Sequence, residues 1–239
     1  MMNAFLYGIG LQWKLDLRNK GVLLTYYMVP VIFFLFISGI FTSINPEAYK
    51  TLIPAMTVFG VSMGAFLGAP APLIELYGSE MKKAYKVGGI PLWTAALGNL
   101  ISGLIHLMIM STVIYLIAPF AFHAELPVYA LTYFAKLAVF ITACLSIGTL
   151  VGLFVKSSSK LTMISQIIFL PSIMLSGIMF PADMLPQTMQ SIGRIFPATW
   201  GFENLCSSEW DTAGLLVLVG IIVAAGLVSA WRIKKLQAD

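Results

Sequence analysis

Apolar residues run almost unbroken through six stretches of this chain, roughly 22–41, 51–74, 92–118, 129–155, 161–180 and 213–231. At about 1.5 Å per residue, twenty residues cross a hydrocarbon layer of roughly 30 Å. The pattern predicts an all-α polytopic membrane protein with six transmembrane helices. Ahead of the first, Phe5, Ile9, Trp13 and Leu17 recur at intervals of four among Lys14, Asp16, Arg18 and Lys20. That spacing predicts an amino-terminal helix in the membrane interface, with Trp13 near the headgroups.

The fifth stretch is irregular. Pro171 lies near its middle and Ser176-Gly177 near its end, and Pro181, Pro186 and Pro197 punctuate the residues after it. Leu185, Met189, Ile192 and Phe196 stand at helical spacing there, predicting a short amphipathic helix over 183–196, at or dipping into one membrane surface. The other helices are expected to be arranged around this broken one. The loop 75–91 is too long and too charged for a simple turn. Glu80 to Val87 predicts about two helical turns, stopped by Gly88 and Gly89, with Pro91 starting the third span. Gly60, Gly64 and Gly68, and again Gly148 and Gly152, stand four apart as small-residue stripes for close helix packing, within the chain or between copies. Pro70 and Pro72 are expected to end or kink the second span.

Composition agrees with a membrane location. The 239 residues are 59% hydrophobic and only 10% charged, against roughly 25% charged in soluble chains, and the mean hydropathy is +0.91. The net charge of +4 does not make a nucleic-acid surface, because the basic residues are dispersed in clusters. Lys14, Arg18 and Lys20, then Lys82, Lys83 and Lys86, then Lys156 and Lys160, then Arg232, Lys234 and Lys235 all fall on one side of a six-span topology, against Lys50 and Arg194 on the other. The positive-inside rule makes the first side cytoplasmic, with both termini there. Val22 to Phe41 is too long for a signal-peptide core and is expected to remain as the first span. Cys144 and Cys206 suggest neither a disulfide framework nor a thiolate metal site.

Chemistry-bearing motifs are sparse. There is no G-x-x-x-x-G-K-[ST] phosphate loop, no H-E-x-x-H and no G-x-S-x-G, so the chain is not expected to be an enzyme or to hold a cofactor or metal. His106 reads as hydrogen-bonded across a helix interface ahead of a proton relay, and Lys136 as snorkelling to the outer surface. A membrane-embedded enzyme would need His106, Lys136, Gln166 and Asn99 to converge. Asp183, Glu203, Glu209 and Asp211 have no neighbouring base or nucleophile and mainly leave the outer face acidic.

Taken together, Leu175-Ser176-Gly177, Phe180-Pro181, Leu185-Pro186 and Phe196-Pro197, the six-span topology and the loop carrying Glu80 and Pro91 resemble the ABC-2 type permeases, membrane subunits of bacterial ATP-driven exporters. The resemblance covers nearly the whole chain. It departs where Lys82 and Lys83 occupy the family's Gly-Thr positions, with Val87 as the apolar anchor. It implies a coupling helix near 80–88 seated in a partner ATPase, re-entrant elements over 181–212, and an outer gate at Ser176, Gly177, Phe180, Pro181, Leu185, Pro186, Phe196 and Pro197. It also implies a translocation path past Phe59, Met63, Phe169 and Met174. The implied partners are two ATP-binding cassette subunits carrying ATP and Mg, a second permease as homodimer or heterodimer, membrane lipid and an amphiphilic substrate. The function implied is export of a drug, peptide antibiotic or lipid-linked molecule. The alternative is an immunity or sensing protein that binds an amphiphile without moving it.

Overall fold

The computed structural model describes residues 2–44, 46–78 and 81–238, and no strand occurs among them. Five helices are long and apolar enough to cross a membrane: Lys20–Ser43, Leu52–Gly78, Trp93–Phe122, Ala130–Phe154 and Thr212–Gln237, called here the first to fourth spans and the last span. The amino-terminal helix Met2–Arg18 is divided from the first span at Asn19, whose side chain accepts from the amides of Gly21 and Val22. This is the cap a new helix start requires.

The second span lies at the centre. Every residue from Leu52 to Ser62 is buried, and 89% of the span's most apolar window is enclosed against 17% for the last span. Its small residues explain the placement. A β-carbon at Gly60 would lie 2.8 Å from Met110 Cε, one at Gly64 2.5 Å from Leu107 Cδ2, and one at Gly68 3.2 Å from Thr25 Cγ2. The stripe therefore admits the first and third spans of the same chain. From the other side the fourth span brings Gly148 onto the Ala65 carbonyl and Gly152 onto Leu73 and Pro70. Lipid tails are as apolar as leucine, so close van der Waals contact decides such packing. The expectation that the helices gather around the broken fifth stretch is thus corrected: they gather around the second span.

Pro70 and Pro72 do not end that span, which continues to Gly78. Instead Gly64–Gly68 form one wide π turn, closed by Ala69 N–H donating to the Gly64 carbonyl at 3.0 Å. The first span repeats the device, with a π turn over Leu24–Met28 closed by Val29 N–H on the Leu24 carbonyl, just before Pro30. A proline ring collides with the carbonyl four residues back, and a turn with one extra residue moves that carbonyl aside. The third span likewise runs through Pro119 to Phe122, where His123 takes a left-handed conformation at φ 53°.

The fifth stretch, expected over 161–180, folds as the helix Ser158–Met174 of 17 residues. Ser157 caps its start, accepting from Lys160 N–H. Beyond it come a 3₁₀ turn at Ala182–Met184 and the helices Gln187–Gly193 and Pro197–Cys206. The single helix expected over 183–196 is corrected to the shorter Gln187–Gly193. Leu185 is extended, and Phe196 precedes the next helix, in which Pro197 takes the first position. A fixed proline φ and a missing N–H favour that position. Pro197–Cys206 is a half-buried helix of its own, with Gly201 against the Phe140 ring.

Candidate functional site

Between the second and third spans stands the helix Met81–Val87. Gly89, at φ +65°, ends it in the left-handed geometry that glycine adopts without steric cost. Ile90 N–H returns to the Tyr85 carbonyl at 2.9 Å. Pro91 then opens the third span, its carbonyl accepting from Thr94 Oγ1 at 2.7 Å. Lys82 is half-buried, while Lys83 and Lys86 are exposed. Val87 is 91% exposed, so the expected apolar anchor points away from this chain. Glu80 lies outside the described residues.

Phe59 and Phe169, expected on the translocation path, do meet: their rings pack edge to face at 5.6 Å, and Phe59 stacks on Phe33 at 5.2 Å. Both are buried. Met63 is half-buried beside the same cluster, whereas Met174 is half-exposed at the end of its helix. Three of the four residues thus belong to one aromatic core, and Met174 stands apart.

The candidate gate is a stack of short turns. Ser176 Oγ donates to the Ile173 carbonyl at 2.9 Å, and Gly177 takes φ +86°, turning the chain away from the helix axis. Gly193 packs under Leu175, a β-carbon there falling 2.5 Å from the Leu175 carbonyl oxygen. Thr199 Oγ1 and Trp200 Nε1 donate to the carbonyls of Gly193 and Arg194, tying Gln187–Gly193 to Pro197–Cys206. Phe180, Pro181 and Pro186 are exposed, Leu185 and Phe196 half-buried, Pro197 buried. Asp211 accepts from Ala213 N–H and Gly214 N–H, each at 3.1 Å, capping the last span. Its carboxylate has a structural role that sequence reading missed.

Two polar clusters are built more firmly than the sequence suggests. Lys136 is buried, and its Nζ donates to the carbonyls of Asn204, Ser207 and Glu209. The expected snorkelling into water is corrected: the ammonium satisfies backbone groups at the end of Pro197–Cys206, as the negative end of a helix favours. In the other cluster, Asp16 is buried against the third span. It accepts from Ser102 Oγ at 2.6 Å and Gln12 Nε2 at 2.9 Å, with His106 Nε2 4.0 Å away. Tyr27 hydroxyl pairs with His106 Nδ1 at 2.7 Å, and the Tyr26 and Trp13 rings stack on the imidazole at 5.4 and 6.0 Å. The amino-terminal helix is therefore docked by a face carrying Gln12, Trp13 and Asp16, with Leu11, Leu15 and Leu17 turned outward, so Trp13, expected near the headgroups, packs against the third span instead. His106 is hydrogen-bonded across a helix interface, as expected. Asn99 bonds instead to the Ala69 carbonyl, and Gln166 is exposed, so the four polar residues weighed for an embedded enzyme do not converge.

Burial holds the Asp16 carboxyl above its ordinary value of 3.8, with the Ser102 and Gln12 hydrogen bonds opposing the shift. A carboxyl that binds its proton more readily when docked favours docking more strongly as pH falls, through the window above 3.8. Protection of residues 8–18 against hydrogen exchange, taken relative to the intrinsic rate at each pH, is expected to rise on acidification in that window, by at most about tenfold per pH unit, the limit for one proton. Asp16→Asn should remove the dependence. Identical pH profiles in the two proteins would disconnect docking from this carboxyl.

A bundle of long apolar helices, crossed by proline-widened turns and carrying a charged helix between its second and third spans, defines a multi-pass membrane protein. The chain belongs to the ABC-2 type transporter family, whose sequence model matches residues 4–210. That membership brings association with ATP-binding subunits in general. No individual curated protein matches the chain.

Proposed function

We propose that the chain is the permease subunit of an ATP-driven exporter of a hydrophobic or amphiphilic compound such as a drug, a peptide antibiotic or a lipid-linked molecule. Two separate ATP-binding subunits carry the ATP and Mg, and two permease chains, identical or related, form the path. The observation that carries this reading is the helix Met81–Val87, held between two spans with Val87 turned outward. A partner that moves this helix moves the ends of both spans as rigid bodies.

The basic end of the bundle is cytoplasmic in this proposal and holds both termini, in the cytoplasmic membrane. Ser158–Met174, about 26 Å long at the α-helical rise, with the turns of 175–180 makes the sixth crossing. The short helices within 181–212 form the re-entrant outer gate. Substrate passes Phe59, Met63, Phe169 and Met174 when the aromatic core parts.

Co-expression with a phosphate-loop ATPase, followed by purification, tests the reading. Stable co-purification and ATPase activity stimulated by an amphiphile are expected. Replacing Lys82 and Lys83 together by alanine is expected to weaken partner retention about tenfold, the order of two rim charges lost from an interface, without affecting membrane insertion. Efflux that persists with an inactivated ATP site would overturn the exporter assignment, and retention unchanged by the double substitution would remove the coupling role.

A further inference from the structure

At the basic end of the bundle, where the second, fourth and last spans all finish, lies a groove of about 540 Å³, within the roughly 300–1,000 Å³ of small-ligand sites. Lys82 comes to it from the helix Met81–Val87, Lys156 from the loop after the fourth span, and Arg232 and Lys235 from the last span. Ile74 and Leu153 supply an apolar wall. Among the described residues no carboxylate lines the groove and none pairs with these four cations.

Arg232 lies along the end of the fourth span. Its Nε donates to the Leu153 carbonyl at 3.4 Å and its guanidinium lies 5.2 Å from the centre of the Phe154 ring. This leaves the terminal nitrogens of the guanidinium, a fork matched to phosphate oxygens, without a hydrogen bond among the described residues. Four cations with no counter-charge among the described residues, beside an apolar wall at the depth where three spans end, make a place for a group that is anionic at one end and greasy at the other.

We propose that this groove holds the phosphate headgroup of an anionic phospholipid, with the first part of an acyl chain against Ile74 and Leu153. Basic pockets between membrane helices take such headgroups through short-range charge and hydrogen bonding. A free phosphate shares the headgroup chemistry but has no use for the wall. The bound lipid would join Lys82 on the loop helix to Arg232 and Lys235 on the last span.

The test uses the purified full chain without any ATPase, so its failure is separate from failure of the exporter reading. After exchange against vesicles of equal phosphatidylglycerol and phosphatidylcholine, native mass spectrometry counts the lipid retained. At about fivefold per basic residue at a membrane surface, the wild-type chain is expected to prefer phosphatidylglycerol by on the order of tenfold or more. Lys156→Gln with Arg232→Gln and Lys235→Gln should bring the preference close to unity. The charge-conserving set Lys156→Arg, Arg232→Lys and Lys235→Arg should retain most of it, which guards against simple misfolding. Lys14→Gln with Arg18→Gln and Lys20→Gln, which removes as much charge from the amino-terminal region, should leave the preference in place.

Equal loss in the two neutralised triples would mean a diffuse field and overturn the proposal. So would displacement of the lipid by inorganic phosphate alone, which would make the groove a free-anion site. An unchanged lipid preference in the groove triple would place the lipid elsewhere and likewise overturn it.

Discussion

Lys136→Met is expected to destabilise the folded chain by about 1–3 kcal/mol, because it removes the donor shared by three backbone carbonyls. Methionine fills the same volume, so the loss is electrostatic rather than a cavity. The carbonyls of Asn204, Ser207 and Glu209 all accept from Nζ, and an unpaired buried acceptor costs about 1–3 kcal/mol. For a chain of this length the midpoint of thermal unfolding in detergent should drop by about 5 °C. Residues 207–210 should also become open to limited proteolysis before the spans unfold. Lys136→Met with a wild-type midpoint and wild-type proteolysis would show that water or lipid serves those carbonyls equally well.

Gly148→Ala is expected to cost about 3 kcal/mol or more, although alanine is ordinarily the better helix former. The added β-carbon falls onto the Ala65 carbonyl oxygen, and a backbone atom cannot rotate aside as a side chain does. The second and fourth spans must separate, and the contacts of Gly152 with Leu73 and Pro70 are weakened with them. Overpacking a tight interior costs about 1–3 kcal/mol and occasionally more. Gly98→Ala is the matched control: it lies in the third span with nothing within 4 Å of the new carbon, so a neutral or slightly stabilising change is expected. Equal unfolding midpoints for the two variants would mean that the interface gives way without cost.

Much of this architecture could be read from the chain because it is written locally. Uncharged apolar runs locate the spans, Gly88 and Gly89 end the loop helix, and glycines four apart mark the tightest contacts. The features that escaped depend on partners far along the chain. Asp16 sits among charged neighbours in sequence, and nothing local tells that Ser102 and His106, more than eighty residues away, enclose it. Lys136 looks like a surface-seeking lysine until Pro197–Cys206 folds over it. That helix was itself hidden because Gly201, a poor helix former, is required by the Phe140 ring. At Pro70, where the second span was expected to end or kink, the helix widens and carries on, and it does the same at Pro30. In the candidate site, Phe59 and Phe169 stood out only through the family resemblance, whereas their ring contact, Val87's outward aim and the basic groove required the fold.

The two wide turns, Leu24–Met28 and Gly64–Gly68, touch one another, Gly64 lying under Tyr26 and Gly68 under Thr25. Each turn stores one surplus residue, and a residue is worth about 100° of rotation in an α-helix. The halves of each span on either side of the turn are therefore out of phase with a straight count along the sequence. Chain length, as much as side-chain identity, decides which stripe of Val29–Ile44 and of Pro70–Gly78 faces inward. A one-residue deletion confined to either turn would swing the far half of that span alone, putting it out of step with its neighbour.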